Sequence, residues 1–123
     1  MNAGETIHFK VRDEPLVAVV QTEWFHSENP PPRERPAGTP WNDLTVLETA
    51  KGAFVVRIRA RVKEPASSVH SVTRVRTIEC DWYCFDNRER AIEWFADDAS
   101  DASGLAGKAL AGRALARLRA EEV

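Results

Sequence analysis

The sequence predicts an α+β fold, an antiparallel sheet of about five strands followed by two C-terminal helices packed on one face. Three observations lead there. Within Ala53 to Lys63, Phe54, Val56, Ile58, Ala60 and Val62 alternate with Val55, Arg57, Arg59, Arg61 and Lys63. Successive side chains on a strand point to opposite faces, so one face is apolar and the other carries a line of cations. One packed face and one wet face mark a strand of an antiparallel sheet, because parallel strands are apolar on both. Strand-like runs also come first along the chain and helical runs last, which places helices over one face of the sheet. Finally, 123 residues with 43% hydrophobic and 29% charged content fit a single domain, 1–123, with a core of its own.

The elements follow in order. Ile7, Phe9 and Val11 alternate with His8, Lys10 and Arg12, a first strand over Thr6 to Arg12. Asp13-Glu14-Pro15 is the expected turn, because proline presets φ and donates no ladder bond. Leu16 to Trp24 is the second strand of a hairpin, apolar on both faces in its first half and therefore expected to be central. The loop 27–41 holds five of the seven prolines and ends at Trp41. Its composition excludes helix and sheet interior and predicts an exposed, partly polyproline II segment. Asp43 to Thr49 is a short strand, and Ala50-Lys51-Gly52 turns it into the Ala53 strand. Val69 to Cys80 is a fifth strand whose alternation slips, which a bulge near Arg74 would explain.

Cys80 to Phe85 reads as the exit from the sheet. Asp86 and Glu89 match a capping box that opens a helix carrying Ala91, Ile92, Phe95 and Ala99 on one face. Ala102 to Glu121 is the second helix, with Gly107, Leu110, Ala111, Ala114, Leu115 and Leu118 on its docking side. Each of Gly104, Gly107 and Gly112 costs about 1 kcal/mol against alanine, so docking must stabilise this helix.

Composition excludes several function classes. A net charge of −2 rules out a general polycation, leaving only a local basic patch for nucleic acid. No apolar run approaches the roughly 18 residues that span a bilayer, and Met1 to Lys10 lacks the apolar core of a signal peptide. A cytoplasmic protein with no membrane partner is expected. Cys80 and Cys84 lie about 13 Å apart on an extended strand, beyond disulfide reach. They supply one half of a zinc site with no second pair, and His8, His26 and His70 are scattered, so no metal or other cofactor is expected. Phosphate-loop, dinucleotide-binding, metalloprotease and serine-hydrolase motifs are all missing.

The basic row is the main candidate site. Arg57, Arg59, Arg61 and Lys63, extended by Arg74 and Arg76, form a cationic sheet face, and Arg33 and Arg35 add charge to the proline-rich loop. Glu23, Glu48, Glu79 and Asp81 are the acids expected to neutralise the row. Sheet readers of single-stranded nucleic acid set aromatics among such cations. Here Trp82, Tyr83 and Phe85 come from the exit segment instead. The reading is a non-enzymatic accessory protein that binds a protein partner through the sheet face and the loop. Self-association through the sheet edge or the alanine face of the last helix would add to it. Nucleic-acid binding along the arginines is the first alternative, and a small-molecule or enzymatic pocket between sheet and helices the second.

Trp41 to Val56, with its Thr45-Val46-Leu47-Glu48-Thr49-Ala50-Lys51-Gly52 hairpin, resembles a stretch of small bacterial proteins labelled EXLDI, which carry a TVYET-x-x-G hairpin, further strands and an acidic helical tail. The likeness spans the C-terminal two-thirds. This chain lacks that group's ribbon-helix-helix-like start and its EXLDI ending. The resemblance implies a bacterial accessory protein tied to mobile elements and carries over no site residue.

Overall fold

The alternation within Ala53 to Lys63 organises the molecule. In a computed structural model, which describes residues 1–29, 38–64, 75–97 and 101–120, five strands lie in one sheet in chain order. Every neighbouring pair is antiparallel. They are β1 (Thr6–Val11), β2 (Glu14–Asn29), β3 (Trp41–Thr49), β4 (Phe54–Lys63) and β5 (Val75–Phe85). Among the described residues three helices follow, α1 (Arg88–Ala96), α2 (Asp101–Ala106) and α3 (Lys108–Arg119). The α+β class expected from the sequence is the observed one.

Phe54, Val56 and Ile58 of β4 and Leu44 and Val46 of β3 meet the helices in the main core. Ala91 and Phe95 of α1 and Leu110, Ala111, Ala114 and Leu118 of α3 close it from the other side. Burying each large side chain there contributes about 1.5–3 kcal/mol. The alanine face of α3 is thus consumed inside the domain and is not open to self-association. Trp24 of β2 ties the helices to the sheet edge-on. Its ring lies 5.6 Å from Phe54, its Nε1 donates to Glu48 at 2.9 Å, and the guanidinium groups of Arg88 and Arg117 stand 5.5 and 5.2 Å from it.

Several boundaries differ from the sequence reading for local reasons. The first hairpin turns at Arg12-Asp13, with φ of 49° and 65°, not at Asp13-Glu14-Pro15. Positive φ at both central residues matches the twist of the flanking strands. Pro15 lies within β2 opposite Lys10, where its missing N–H costs nothing because β3 joins β2 only from Val20 onward. The strand buried on both faces is β3, whereas β2 leaves Val17 and Val19 64% and 43% exposed. Ser27 to Asn29 belong to β2 and Trp41 opens β3; the loop between, at 30–37, lies outside the described residues. Cys80 to Phe85 do not leave the sheet but pair with β4 throughout, and the described bulge sits at Ile78, the extra residue between Ala60↔Glu79 and Arg61↔Thr77. Asn87, not Asp86, caps α1, accepting from the Arg90 amide at 3.0 Å. The expected long second helix breaks at Gly107, whose φ of 89° only glycine adopts cheaply.

Two register shifts in β2, at Val20/Thr22 and Glu23/Phe25, bend that strand. The β1–β2 hairpin therefore curls over the sheet face away from the helices. Ile7, Phe9, Val20, Leu47 and Val55 make a second core there, and Phe9 stacks on Trp82 of β5 with ring centroids 5.0 Å apart. The first and last strands touch without pairing, giving a half-barrel. A gap of about 860 Å³ remains between the hairpin tip at Arg12 and the β5 aromatics Trp82 and Tyr83.

Candidate functional site

The odd-numbered residues of β4 line the inner face of this half-barrel. Residues directly opposed across antiparallel strands share a face, so the registers generate rows. One row runs His26, Thr45, Arg57, Trp82; the next pairs Asp43, Arg59 and Cys80, with Glu28 beyond Asp43; Trp41 and Arg61 follow. The row of cations is therefore placed away from the helices as expected, but it is not an open wet face. The Arg59 and Arg61 side chains are only 20% and 24% exposed, and Asp43 and Thr45 beneath them are fully buried.

Asp43 is the acid that the row is built on. Arg59 donates to it through Nε at 3.0 Å to both carboxylate oxygens and through Nη2 at 2.7 Å. Arg61 Nη1 stands 3.9 Å from the same carboxylate. The four acids expected to do this are engaged elsewhere or face away. Glu23 pairs with the N-terminal ammonium at 3.0 Å and Glu48 accepts from Trp24. Glu79 and Asp81 lie opposite Ala60 and Ile58, on the other face.

Arg57 differs from its neighbours. Its Nη2 donates to Thr45 Oγ1 at 3.2 Å, and Thr45 Oγ1 lies 2.8 Å from His26 Nδ1. With the hydroxyl accepting from Arg57, its one proton is free to donate to a His26 that carries its own proton on Nε2. The Arg57 guanidinium sits 5.7 Å from the Trp82 ring centroid, on a ring that also stacks with Phe9. Among the described residues no carboxylate pairs with Arg57, and its Nε is buried without a hydrogen-bond partner, as is that of Arg61. Burial pushes the Arg57 pKa below the usual arginine value, the Arg59 charge adds to this, and Asp43 opposes it. A cation held under those conditions gains most from an incoming anion.

The remaining expected residues do not join this cluster. Lys63 is exposed at the end of β4. Arg76 lies opposite Val62, on the other face, and pairs with Glu64 at 2.8 Å. Arg33, Arg35 and Arg74 lie outside the described residues. Conversely, Asp43, Thr45, His26 and Trp82 belong to the site although the sequence reading does not place them there. The shared parity of Asp43, Thr45 and Leu47 is the signal that could have found the first two. Cys80 faces Arg59, yet partial burial pushes its thiol up, outweighing the pull of Arg57 and Arg59. Cys84 is pushed up by burial and then by Asp86. Neither thiol has the lowered pKa of a nucleophile. Among the described residues no group of three His, Cys, Asp or Glu side chains converges to hold a metal. No helix among them is long and apolar enough to cross a membrane.

Comparison with protein-family models, curated proteins and solved structures returns no match.

Proposed function

We propose that this chain is a non-enzymatic binding protein whose inner sheet face holds a compact anion at Arg57. The observation that carries this is the half-buried Arg57 side chain, its guanidinium over Trp82, without a carboxylate and with a buried Nε that lacks an acceptor. A half-buried guanidinium without a counter-ion gains from an anionic acceptor at the part of the group that reaches solvent. The two free thiols on β5 support a reducing, cytoplasmic setting.

The same geometry weighs against the larger partners. A single-stranded nucleic acid needs an open aromatic face to stack on. Trp82 already stacks with Phe9 and lies under the Arg57 guanidinium. A protein partner docking on the row would find Arg59 already forked onto Asp43. A compact phosphate or carboxylate requires only the Arg57 guanidinium.

The test is nitrogen-detected NMR of the arginine Nε and tryptophan Nε1 signals during titration with phosphate, citrate and a short oligonucleotide. Phosphate or citrate should shift Arg57 Nε and Trp82 Nε1, and Arg57→Gln should abolish the response of Trp82. An Arg57 Nε signal unmoved by every anion sinks the proposal. Oligonucleotide binding with a steep salt dependence, in the absence of a phosphate response, replaces it with the nucleic-acid reading.

A further inference from the structure

The curled hairpin leaves a second space at the other end of the half-barrel, beside the β3–β4 turn. This cavity measures about 350 Å³, and its walls include Phe9, Leu16 and Ala18 of the hairpin, Ala53 of the turn and Val55 of β4. It is separate from the arginine cluster, since Val55 precedes Arg57 by one pleat and the Phe9–Trp82 stack stands beside both. Its polar groups are few. Thr49 Oγ1 already accepts from the Ala53 amide at 3.1 Å. Among the described lining residues Lys51 is the single charged one, exposed on the turn. Among the described residues no carboxylate pairs with it. Val17 and Val19, the most exposed large apolar residues of β2, form part of the rim.

We propose that this cavity binds the hydrocarbon chain of a medium-length monocarboxylate, with the carboxylate at the Lys51 ammonium. The volume falls within the range of small-molecule sites, about 300–1,000 Å³. An apolar wall offers water few of the two to four partners it needs, so a hydrocarbon is the better occupant. Each methylene moved from water onto such walls tightens binding by up to about fourfold. Charge complementarity fixes the orientation, because an apolar cavity with a lone ammonium at its rim selects a single negative charge at one end of the chain. A dianion or a bulky polar head would leave charge unpaired against Val17 and Val19.

Isothermal titration of the full chain with hexanoate, octanoate, decanoate and decanol tests this. Affinity should climb along the acid series until the cavity is filled. Decanol should bind about threefold more weakly than decanoate, the worth of one rim ion pair. Lys51→Ala, a change on an exposed turn, should erase that preference while keeping the chain-length trend. Ala53→Leu should fill the cavity and weaken every ligand of the series at least tenfold, with folding checked by near-ultraviolet circular dichroism. Absence of binding to folded wild type, or full binding to folded Ala53→Leu, overturns the site. An acid-over-alcohol preference that survives Lys51→Ala overturns the headgroup assignment, and that arm stands even if Ala53→Leu does not fold. The Arg57 Nε response to phosphate, recorded on the same samples, tells a failure here from a failure at Arg57.

Discussion

Asp43 and Arg59 face each other across β3 and β4, and three donor–acceptor contacts of 2.7–3.0 Å join the guanidinium to a carboxylate with no solvent exposure. Removing the acid strands two half-buried cations, Arg59 and Arg61, over an apolar layer. Breaking a buried pair from one side costs about 3–5 kcal/mol. Partial solvent access at both arginines puts Asp43→Asn near the lower end, about 3 kcal/mol. At this chain length that lowers Tm by about 10 °C. Arg59→Lys keeps the charge but loses the fork, and should cost about 1.5 kcal/mol. Calorimetry showing Asp43→Asn as stable as wild type would mean the carboxylate is not what holds the row.

Gly107 and Gly112 should respond in opposite senses. Gly107 holds φ at 89°, and a Cβ there would meet only Asn29 Nδ2 at 3.6 Å, an ordinary contact. The cost of Gly107→Ala is therefore backbone strain, about 1–3 kcal/mol, because φ of 89° with ψ of 148° suits glycine alone. Gly112 lies inside α3, exposed, with open space where an added methyl group would stand. Gly112→Ala should stabilise by about 1 kcal/mol. Thermal melts of the two variants moving in the same direction would contradict the break between α2 and α3.

What is legible in the sequence follows from periodicity. The faces of β4 and the buried side of α3 depend only on residue spacing, and Phe54, Val56, Leu110 and Leu118 lie where spacing places them. The chemistry of the inner face depends on irregularities that local pattern does not encode. One residue of slip exchanges the two faces of a strand. Arg76 is turned away from the arginine row only because Ile78 is an extra residue in β5; without it Arg76 would oppose Lys63 instead of Val62. Leu47 and Val55 are covered because two shifts in β2 bend the hairpin over them, and neither Gln21 nor Trp24 marks a bulge by its residue type. The division of the long helix at Gly107 is hidden for a similar reason, since the stretch holds three glycines and their spacing does not choose among them.

Thiol reactivity should report the electrostatics of β5. Cys80 and Cys84 both reach solvent, and both have pKa values raised chiefly by partial burial. A raised pKa lowers the thiolate fraction at every pH below it. Alkylation by iodoacetamide at about pH 7.5 should thus be slower than for an unperturbed cysteine, whose pKa is about 8.5, and should still be rising near pH 9. Arg57 lowers the Cys80 pKa but does not act on Cys84. Arg57→Gln should consequently slow Cys80 further and leave Cys84 unchanged. Mass-resolved rates that plateau below about pH 8, or a variant that slows both thiols equally, would go against this.

The half-barrel itself hangs on Phe9. β1 pairs with β2 alone, so its attachment to the far side of the sheet depends on the second core and above all on the stack of Phe9, 6% exposed, on Trp82. Phe9→Ala deletes the ring and enlarges the cavity beside Val55, which costs about 3–5 kcal/mol in a fully packed core. The main core between sheet and helices contains no residue of β1. The loss should therefore fall on the hairpin. Amides of Thr6–Val11 should exchange far faster, those of β3 and β4 should stay protected, and Phe9→Leu should recover most of the difference. If exchange instead accelerates uniformly through β3 and β4, the hairpin and the helix-facing core unfold as one unit. The inner face then cannot open without the whole domain, and any ligand would have to enter through the rims of a closed structure.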